Sequence, residues 1–158
     1  MTNQPSVTEV SVGGFRSSSV EWGHGCQVYA PANIYRSKIG DRVRIGPFTE
    51  IQDGCEVGDD TVVCSHVFLA GDTVIGRRCF VGHGVITCND RYPVANNKDW
   101  VRERVVIGDD VSIGSGAVLM PGVVIGSSVI IGAAAVVTKS IPDNTVVYSK
   151  TELVVRPR

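Results

Sequence analysis

Three histidines are the side chains of this sequence best suited to proton transfer near neutral pH: His24, His66 and His83. Imidazole changes its charge between about pH 5 and 8, so it can act as a general base or as a metal ligand. A catalytic zinc site would need three such ligands converging on one ion, two of them closely spaced. Because His24 lies far upstream of the other two, the sequence favours proton transfer at His66 and His83.

The cysteines give no metal motif either. Their number is odd and no Cys-x-x-Cys pair occurs, which argues against a zinc ribbon and against a disulfide framework. We expect most of them to be small apolar fillers, and we expect no metal cofactor. The five are Cys26, Cys55, Cys64, Cys79 and Cys88.

A six-residue repeat is the element that must position the histidines. Aliphatic residues occupy fourteen consecutive register positions in two phases, and glycine follows nine of them. We expect these glycines to adopt the positive φ of a tight turn. Small or β-branched residues usually stand two positions before the aliphatic residue, on the same side of a strand. The register positions are Ile39, Ile45, Ile51, Val57, Val63, Leu69, Ile75 and Val81, then Ile107, Ile113, Leu119, Ile125, Ile131 and Val137.

Three such units make a triangular coil of 18 residues, in which residue n stacks on residue n+18. Ile39, Val57 and Ile75 then form one interior column, with Ile45, Val63 and Val81 in a second and Ile51 and Leu69 in a third. The pattern predicts an all-β, parallel β-helix. The 28 Val and 12 Ile, against 3 Leu, agree with it because β-branched residues favour strands. The same register makes His66 and His83 near neighbours on adjacent coils, on or just beyond turns and pointing outward.

The repeat is interrupted between Val81 and Ile107, whose separation is four units plus two positions. We therefore expect a β-helix domain over residues 19–142 with a protruding loop at 88–105. Long loops in compact repeat domains are usually functional, so this loop is expected to contact a ligand or a neighbouring subunit. One face of the prism would then present two imidazoles beneath the loop. Residues 1–18 are expected to be an irregular arm, and residues 143–158 to cap or extend the last coil.

Charge and hydropathy exclude other classes. The chain has 15 basic and 16 acidic residues, mixed throughout, so no basic face for nucleic acid is evident. No stretch is apolar enough to span a membrane, and the first residues lack the features of a secretory signal. The expected location is the cytoplasm.

The run from Ile39 to Val137 resembles the hexapeptide-repeat acyltransferases. Within this part of the chain, VYAPANIYRSKIGDRVRIGPFTEIQDG and FVGHGVITCNDRYP are similar to the sugar-nucleotide amine N-acetyltransferases. The later string IGSGAVLMPGVVIGSSVIIGAAAVVTKSIP resembles their acetyl-CoA-binding coils. The resemblance implies a left-handed coil, acetyl-CoA as acyl donor, a nucleotide-linked amino sugar as acceptor, and a homotrimer with active sites between subunits.

The resemblance also implies roles for particular residues. His83, with His66 beside it, would accept the proton of the attacking amine directly or through water, because only a neutral amine attacks a thioester. Asn89 matches an asparagine that contacts the sugar near its amino group, and Asp90 could attract the ammonium group. Some of the sugar transferases lack this histidine and rely on the asparagine and the substrate amine, so both routes for the proton remain open.

For the donor, small residues of the late coils would let the pantetheine arm lie close along the wall. Gly116 and Ala134 are the expected contacts, with Lys139 as partner of a phosphate. The family's usual Gly-Asn-Pro-Ala type turn after VTKSIP is replaced here by DNTVVYSKTELVV. The resemblance therefore leaves open how the adenine end is held.

Three other functions compete with amine acetylation. An O-acetyltransferase acting on a sugar or serine hydroxyl would use the same fold and donor. A carbonic anhydrase-like metal enzyme also occurs on this fold but needs three converging histidines. A non-enzymatic β-solenoid would bind no acetyl-CoA.

Overall fold

A computed structural model of the chain describes residues 7–9, 16–150 and 155–156. Within these residues the secondary structure consists of short strands joined by turns, and no helix is present that could cross a membrane. The strands form three parallel sheets of eight, seven and six members. These sheets are the three faces of a prism, which we name faces A, B and C.

Except at the last strand of the chain, each face takes every third strand, so one turn of the prism visits all three faces. Face A contains β1 (Val7–Glu9), β4 (Cys26–Val28), β7 (Arg44–Ile45), β10 (Val62–Val63), β13 (Phe80–Val81), β16 (Ser112–Ile113), β19 (Ile130–Ile131) and β21 (Val146–Val147). Face B contains β2 (Arg16–Ser18), β5 (Asn33–Tyr35), β8 (Glu50–Ile51), β11 (Phe68–Leu69), β14 (Ile86–Thr87), β17 (Val118–Leu119) and β20 (Val136–Val137). Face C contains β3 (Glu21–Trp22), β6 (Lys38–Ile39), β9 (Glu56–Val57), β12 (Val74–Ile75), β15 (Val106–Ile107) and β18 (Val124–Ile125).

The predicted interior columns are confirmed. Val63 pairs with Ile45 on one side and Val81 on the other, so each step along face A is one coil of three repeat units. All fourteen aliphatic register positions are buried, with at most 4% of their surface exposed. Val and Ile fit here because their stiff side chains pack into fixed rows at little entropic cost. Each two-residue strand at these positions points one side chain inward and the other outward.

Small side chains fill the interior beside the turns, as predicted. Thr49, Thr61 and Thr73 are buried there, and each hydroxyl bonds to a nearby backbone carbonyl. Cys55 and Cys79 take the same kind of position, and burial raises the pKa of the Cys55 thiol to about 12. These thiols therefore act as small apolar fillers.

The glycine after each aliphatic residue has a different role from the one predicted. None of these nine glycines has a positive φ, so the expectation of a left-handed turn residue there is wrong. Positive φ falls two residues later, often on a residue other than glycine, such as Arg42 or Asp60. The glycine is needed for close approach. A Cβ added to Gly82 would lie 2.7 Å from the backbone oxygen of Ile113 on the next coil.

The N-terminal segments also differ from expectation. Residues 7–9 and 16–18 form β1 and β2, which pair with β4 and β5, so the predicted irregular arm is wrong for these segments. Val7 pairs with Cys26 and Arg16 with Asn33, steps that are one position longer and one shorter than a regular coil. A search at the regular spacing therefore misses both strands. The rest of the predicted arm, residues 1–6 and 10–15, lies outside the described residues.

At the other end of the chain, the prediction of a cap or extension concerns residues 143–158. Within them β21 pairs in parallel with β19 and so extends face A by one strand. Residues 151–154 and 157–158 lie outside the described residues.

The loop at residues 88–105 leaves the wall between β14 and β15. Phe80 pairs with Ser112 across the loop, whereas the regular step pairs Val62 with Phe80, so the coil that carries the loop is longer by more than two repeat units. The register is intact on both sides, because Val81 pairs with Ile113 just as Val63 pairs with Val81.

Thr87 takes the interior register position just before the loop. Its hydroxyl lies 2.9 Å from that of Thr73 and accepts the backbone N–H of Ala70 at 2.8 Å. A polar side chain can therefore occupy the last interior position before the loop, because its hydrogen bonds are satisfied there.

Ion pairs join successive coils at the corner between faces C and A. Arg42 Nε donates to Asp60 at 2.6 Å, and Arg78 Nη2 donates to Asp110 at 2.7 Å. Hydrogen bonds from these arginines hold the pKa of both carboxyl groups below their ordinary value. The carboxylate of Asp109 accepts the backbone N–H of Arg77, which lowers the pKa of that carboxyl group too.

Candidate functional site

The turns between faces A and B, which we call the A–B corner, bring four of the predicted site residues together. His66, His83, Gly116 and Ala134 all lie in them. The turns stack in register: the backbone N–H of Gly116 donates to the carbonyl of His83 at 2.8 Å, and that of Gly84 to the carbonyl of Ser65 at 3.0 Å. The repeat therefore places the histidines and the expected donor contacts along one edge of the prism.

His83 is exposed and has a hydroxyl partner. Its Nδ1 lies 2.7 Å from Oγ of Ser65, which takes the same turn position one coil earlier. The other ring nitrogen, Nε2, has no hydrogen-bond partner among the described residues and is the one available to a substrate. An exposed imidazole with one nitrogen engaged by the protein and the other open to solvent suits general-base catalysis.

His66 has a different environment. Its ring stacks on Phe48, with ring centroids 4.8 Å apart and an interplanar angle of 16°. The two rings occupy the second turn position of adjacent coils, where both residues have a φ of 60°. The structure thus confirms that His66 and His83 are neighbours, while it gives His66 a stacking partner and His83 a polar one.

The backbone beside His83 is open. Gly84 and Gly116 have φ values of 67° and 71°, and a Cβ added to either would meet no atom within 4 Å. Ala134 continues the column with a φ of 56°. An extended ligand can approach the main chain closely along this edge, since small residues line it on the coils that follow the histidine.

A shallow groove of about 190 Å³ leads from His83 onto face A. Tyr29, Arg44 and Cys64 line it together with Ser65 and His83. The strand of Val62–Val63 forms an apolar floor, and Arg44 contributes a cationic group. The groove gives the imidazole a concave neighbourhood suited to the non-reacting part of a substrate.

The remaining predicted site residues lie at a different corner. Asn89, Asp90 and Lys139 are at the corner between faces B and C, across the full width of face B from His83. Asn89 Nδ2 donates to the carbonyl of Gly71 at 3.4 Å, and Asp90 Oδ1 accepts the backbone N–H of Tyr92 at 2.9 Å. Within one chain, the expectation that the imidazoles lie beneath the loop is therefore wrong, because β14 separates the two groups.

Two arginines tie the loop to the wall. Arg91 Nη2 donates to Glu103 and to the carbonyl of Pro121, both at 2.7 Å, and the hydrogen bond from Arg91 lowers the pKa of Glu103. Arg102 bridges to Asp72 at 3.1 Å and to Asp53 at 3.5 Å. Both ends of the loop are thereby anchored on the coils before and after it.

Sequence reasoning missed Ser65 and Phe48, the contacts of the two histidines. The signal was available, because each stands 18 residues before its histidine and the coil length was known. It missed the loop anchors for a different reason. The partners Arg91–Glu103 and Arg102–Asp72 follow no fixed spacing, so only the folded loop identifies them.

The described residues contain no cluster of three or more histidine, cysteine or acidic side chains that could hold a metal ion. His24 lies at the corner between faces C and A, where its backbone N–H donates to Asp41. The three histidines thus occupy two different edges of the prism and do not converge as a carbonic anhydrase-like site requires.

Comparison with known proteins agrees with this architecture. The family model "Bacterial transferase hexapeptide (six repeats)" matches residues 36–71 and 104–139, the coils on either side of the loop. The bifunctional protein GlmU of Cupriavidus pinatubonensis is 33% identical over 153 residues, covering 87% of this chain and 32% of that protein. The chain spans about a third of the length of the curated relatives it matches.

Solved structures share the fold at low identity. The hexapeptide-repeat acetyltransferase VCA0836 of Vibrio cholerae, also solved with acetyl coenzyme A, has a TM-score of 0.61 at 20% identity over 89% of this chain and 72% of its own. The N-acyltransferase AntD of Bacillus cereus, in complex with dTDP and 3-hydroxybutyryl-CoA, scores 0.56 at 20% identity over 82% and 78%. The polysialic acid O-acetyltransferase OatWY scores 0.58 at 20% identity over 84% and 76%. Repeat, register and fold agree that this chain is a hexapeptide-repeat protein with the left-handed β-helix of the bacterial hexapeptide transferases.

Proposed function

We propose that the protein is an acetyl-CoA-dependent N-acetyltransferase that acts on the amino group of a nucleotide-linked amino sugar. The observation that carries the proposal is the exposed His83, engaged by Ser65 at Nδ1, at an edge whose backbone is open to an extended ligand. The match to the transferase hexapeptide model, the acetyl-CoA complex of VCA0836 and the nucleotide and acyl-CoA bound to AntD support it.

In this proposal His83 Nε2 accepts a proton from the acceptor amine as the nitrogen attacks the thioester carbonyl carbon. A C–N bond forms, the C–S bond breaks, and the proton passes to the departing CoA thiolate. The products are the N-acetylated sugar nucleotide and free CoA. General-base catalysis of this kind contributes about 10²–10⁴-fold to rate.

The acyl donor would lie along the A–B corner toward the C-terminal coils. Gly116 and Ala134 present backbone without bulky side chains there, so the pantetheine arm can lie against the main chain. Lys139 is exposed at the next corner of the last full coil, from which its long side chain could bind a phosphate of CoA.

The acceptor would be held with help from a second copy of the chain. Asn89 and Asp90 lie across face B from His83, so a homotrimer would bring the loop corner of one subunit to the A–B corner of its neighbour. The loop carries large exposed apolar side chains suited to such a contact, since Tyr92, Val94 and Val101 are 75%, 67% and 74% exposed in the single chain.

The test is a thiol-release assay with acetyl-CoA against a panel of nucleotide-linked sugars that differ only in carrying an amino or a hydroxyl group. The expected result is CoA release with amino sugars alone, together with an acetylated product whose mass increases by one acetyl group. Release only with hydroxyl acceptors would overturn N-acetylation.

O-acetylation is the second candidate, favoured by the likeness to OatWY and by a site in which the base would serve an alcohol as well as an amine. The panel separates the two functions, with serine included as a further hydroxyl acceptor. A carbonic anhydrase-like function would instead require stoichiometric zinc by elemental analysis. A purely structural solenoid would bind no acetyl-CoA by calorimetry.

A further inference from the structure

Ser65 and His83 form a pair that the coil itself assembles. They occupy the first turn position of consecutive coils at the A–B corner, and the backbone contact between Gly84 N–H and the Ser65 carbonyl fixes their separation. Oγ of Ser65 and Nδ1 of His83 are 2.7 Å apart, a strong hydrogen-bond distance. The coil stacking thus places the two side chains within hydrogen-bond reach of each other.

The contact matters because a neutral imidazole carries its proton on only one nitrogen. If Nδ1 carries the proton and donates to Oγ of Ser65, then Nε2 has a free lone pair and can accept a substrate proton. If Nε2 carries the proton, the outward nitrogen is a donor and cannot act as the base. Which form is present depends on the hydrogen bond that the other nitrogen makes.

We propose that Ser65 is a positioning residue that holds His83 with its proton on Nδ1 and its Nε2 directed at the acceptor. The proposal rests on the function proposed above, in which His83 is the base. Ser65 touches no reacting atom. It acts through the imidazole, by selecting the form of the ring that can accept a proton and by fixing the direction of its outward nitrogen.

The neighbouring turns show that the corner tolerates changes at this position. Pro47, Ser115 and Ala133 take the equivalent place on other coils, so Ser65→Ala introduces a residue that the corner already accepts. Ser65→Thr keeps the hydroxyl. Ser115→Ala is the matched control for the NMR measurement described next. It makes the same substitution one coil beyond His83, and among the described residues no hydrogen bond joins Ser115 to the His83 ring.

The first test reads the imidazole directly, by nitrogen-15 NMR of the full chain labelled at histidine, above the pH at which the ring titrates. His83→Asn assigns the signals of residue 83. The expected result is a proton on Nδ1 in the wild-type protein, in Ser65→Thr and in Ser115→Ala, and a population shifted toward a proton on Nε2 in Ser65→Ala. A proton on Nε2 in the wild-type protein, or no change in Ser65→Ala, would overturn the proposal.

The second test uses the acetyl-transfer assay. Ser65→Ala is expected to lower kcat about tenfold with KM for acetyl-CoA unchanged, since one net hydrogen bond sets the ring form. Ser65→Thr is expected to recover most of the rate. In a His83→Ala background, Ser65→Ala should cost nothing further, because both changes remove the same base. A full further loss in the double variant would show that Ser65 acts independently and would contradict the proposal.

The two tests separate this inference from the function it rests on. If the wild-type protein transfers no acetyl group to any acceptor, the proposed function fails, and the NMR result still decides whether Ser65 controls the ring. If transfer occurs and the ring form is indifferent to Ser65, the function stands and the positioning role is wrong.

Discussion

His66 and His83 show how two residues of one type, adjacent in register, can differ in what they are able to do. The His83 ring bonds to a hydroxyl at Nδ1, whereas the His66 ring lies flat on Phe48. Stacking uses the face of the ring and hydrogen bonding uses its edge, so of these two rings it is His83 whose edge the protein orients. The register explains the difference, because His83 takes the first turn position, opposite Ser65, and His66 takes the second, opposite Phe48.

We therefore expect the three histidine-to-alanine variants to differ in how far they lower kcat for acetyl transfer. His83→Ala should lower kcat for acetyl transfer by about 10²–10⁴-fold, the contribution of a general base. His66→Ala should have a much smaller effect, and His24→Ala, at another edge of the prism, should have none. The measurement is steady-state kinetics across pH. An unchanged rate of His83→Ala at every pH would remove the base assignment.

At the scale of the single turn, two glycines of one turn, Gly82 and Gly84, have opposite reasons for being glycine. Gly82 lies where the backbone of Ile113 and Ser115 comes within 2.7 Å of a would-be Cβ, without positive φ. Gly84 has a φ of 67° and open space around it. One position forbids a side chain by contact, and the other disfavours it by conformation.

Gly82→Ala is accordingly expected to destabilise the protein by about 3 kcal/mol, because two coils must move apart. Gly84→Ala is expected to cost about 1–2 kcal/mol, the conformational penalty alone. Denaturant unfolding of both variants beside the wild-type protein checks the ranking. Equal costs would show that the coil spacing relaxes around an added methyl group.

The ion pairs between successive coils at the corner of faces C and A predict that acid lowers the stability of the folded protein. Hydrogen bonds from Arg42 and Arg78 lower the folded-state pKa of Asp60 and Asp110, so the unfolded chain binds protons more readily than the folded one. The stabilisation is fully present above the pKa that an aspartate has in the unfolded chain, about 4. It is lost as the pH falls through the lower folded pKa.

The melting temperature should thus fall as the pH is lowered from about 5 to 3, and more shallowly in Asp110→Asn than in the wild-type protein. Differential scanning calorimetry at stepped pH gives the comparison. Asp99→Asn is the control, because Asp99 is an exposed loop carboxylate with no arginine partner among the described residues. If the melting temperatures of the wild-type protein and Asp110→Asn fell in parallel with pH, this would contradict a role for these ion pairs.

At the scale of whole strands, the sequence predicted the fold wherever the spacing was one regular coil. The columns that begin at Ile39, Ile45 and Ile51 could be predicted because aliphatic residues recur in them at the regular spacing, and the structure buries these residues. β1 and β2 could not, since their steps differ from the regular coil by one position in opposite directions. Thr87 was not predicted as an interior residue for a chemical reason. It is polar, and it takes an interior position there through its bond to Thr73.

The site was only partly predictable, again for a geometric reason. His66, His83, Gly116 and Ala134 share one edge because their spacing follows the repeat. Asn89 stands six residues after His83, which is one repeat unit, so the same spacing already places it at the next corner of the prism. The path of the loop beyond Asp90 could not be predicted, because the ion pair of Arg91 with Glu103 follows no repeat spacing.

For the molecule as a whole, the split between two corners predicts complementation between subunits. As pure assemblies, His83→Ala and Asn89→Ala should each transfer acetyl groups much more slowly than the wild-type protein. When the two variants are unfolded together and reassembled, about a quarter of the sites should regain both residues if each site takes His83 from one chain and Asn89 from its neighbour. Native mass spectrometry gives the size of the assembly, expected to be three chains.

Each variant reassembled alone is the control for that experiment, and circular dichroism checks that Asn89→Ala still folds after losing its bond to Gly71. Recovery of activity in the mixture supports a shared site. Absence of recovery in a correctly folded mixed trimer would mean that each chain carries a complete site by itself.

The loop at residues 88–105 lengthens one coil without disturbing the pairing on either side. Its sequence and length can therefore change while the columns of the core, and the edge that carries His83, stay as they are. Under the proposed function, exchange of this one segment is expected to change the acceptor preference. Under that proposal, grafting the corresponding segment of a hexapeptide transferase between Thr87 and Val106 is a practical route to new acceptors, because the anchoring coils need no redesign.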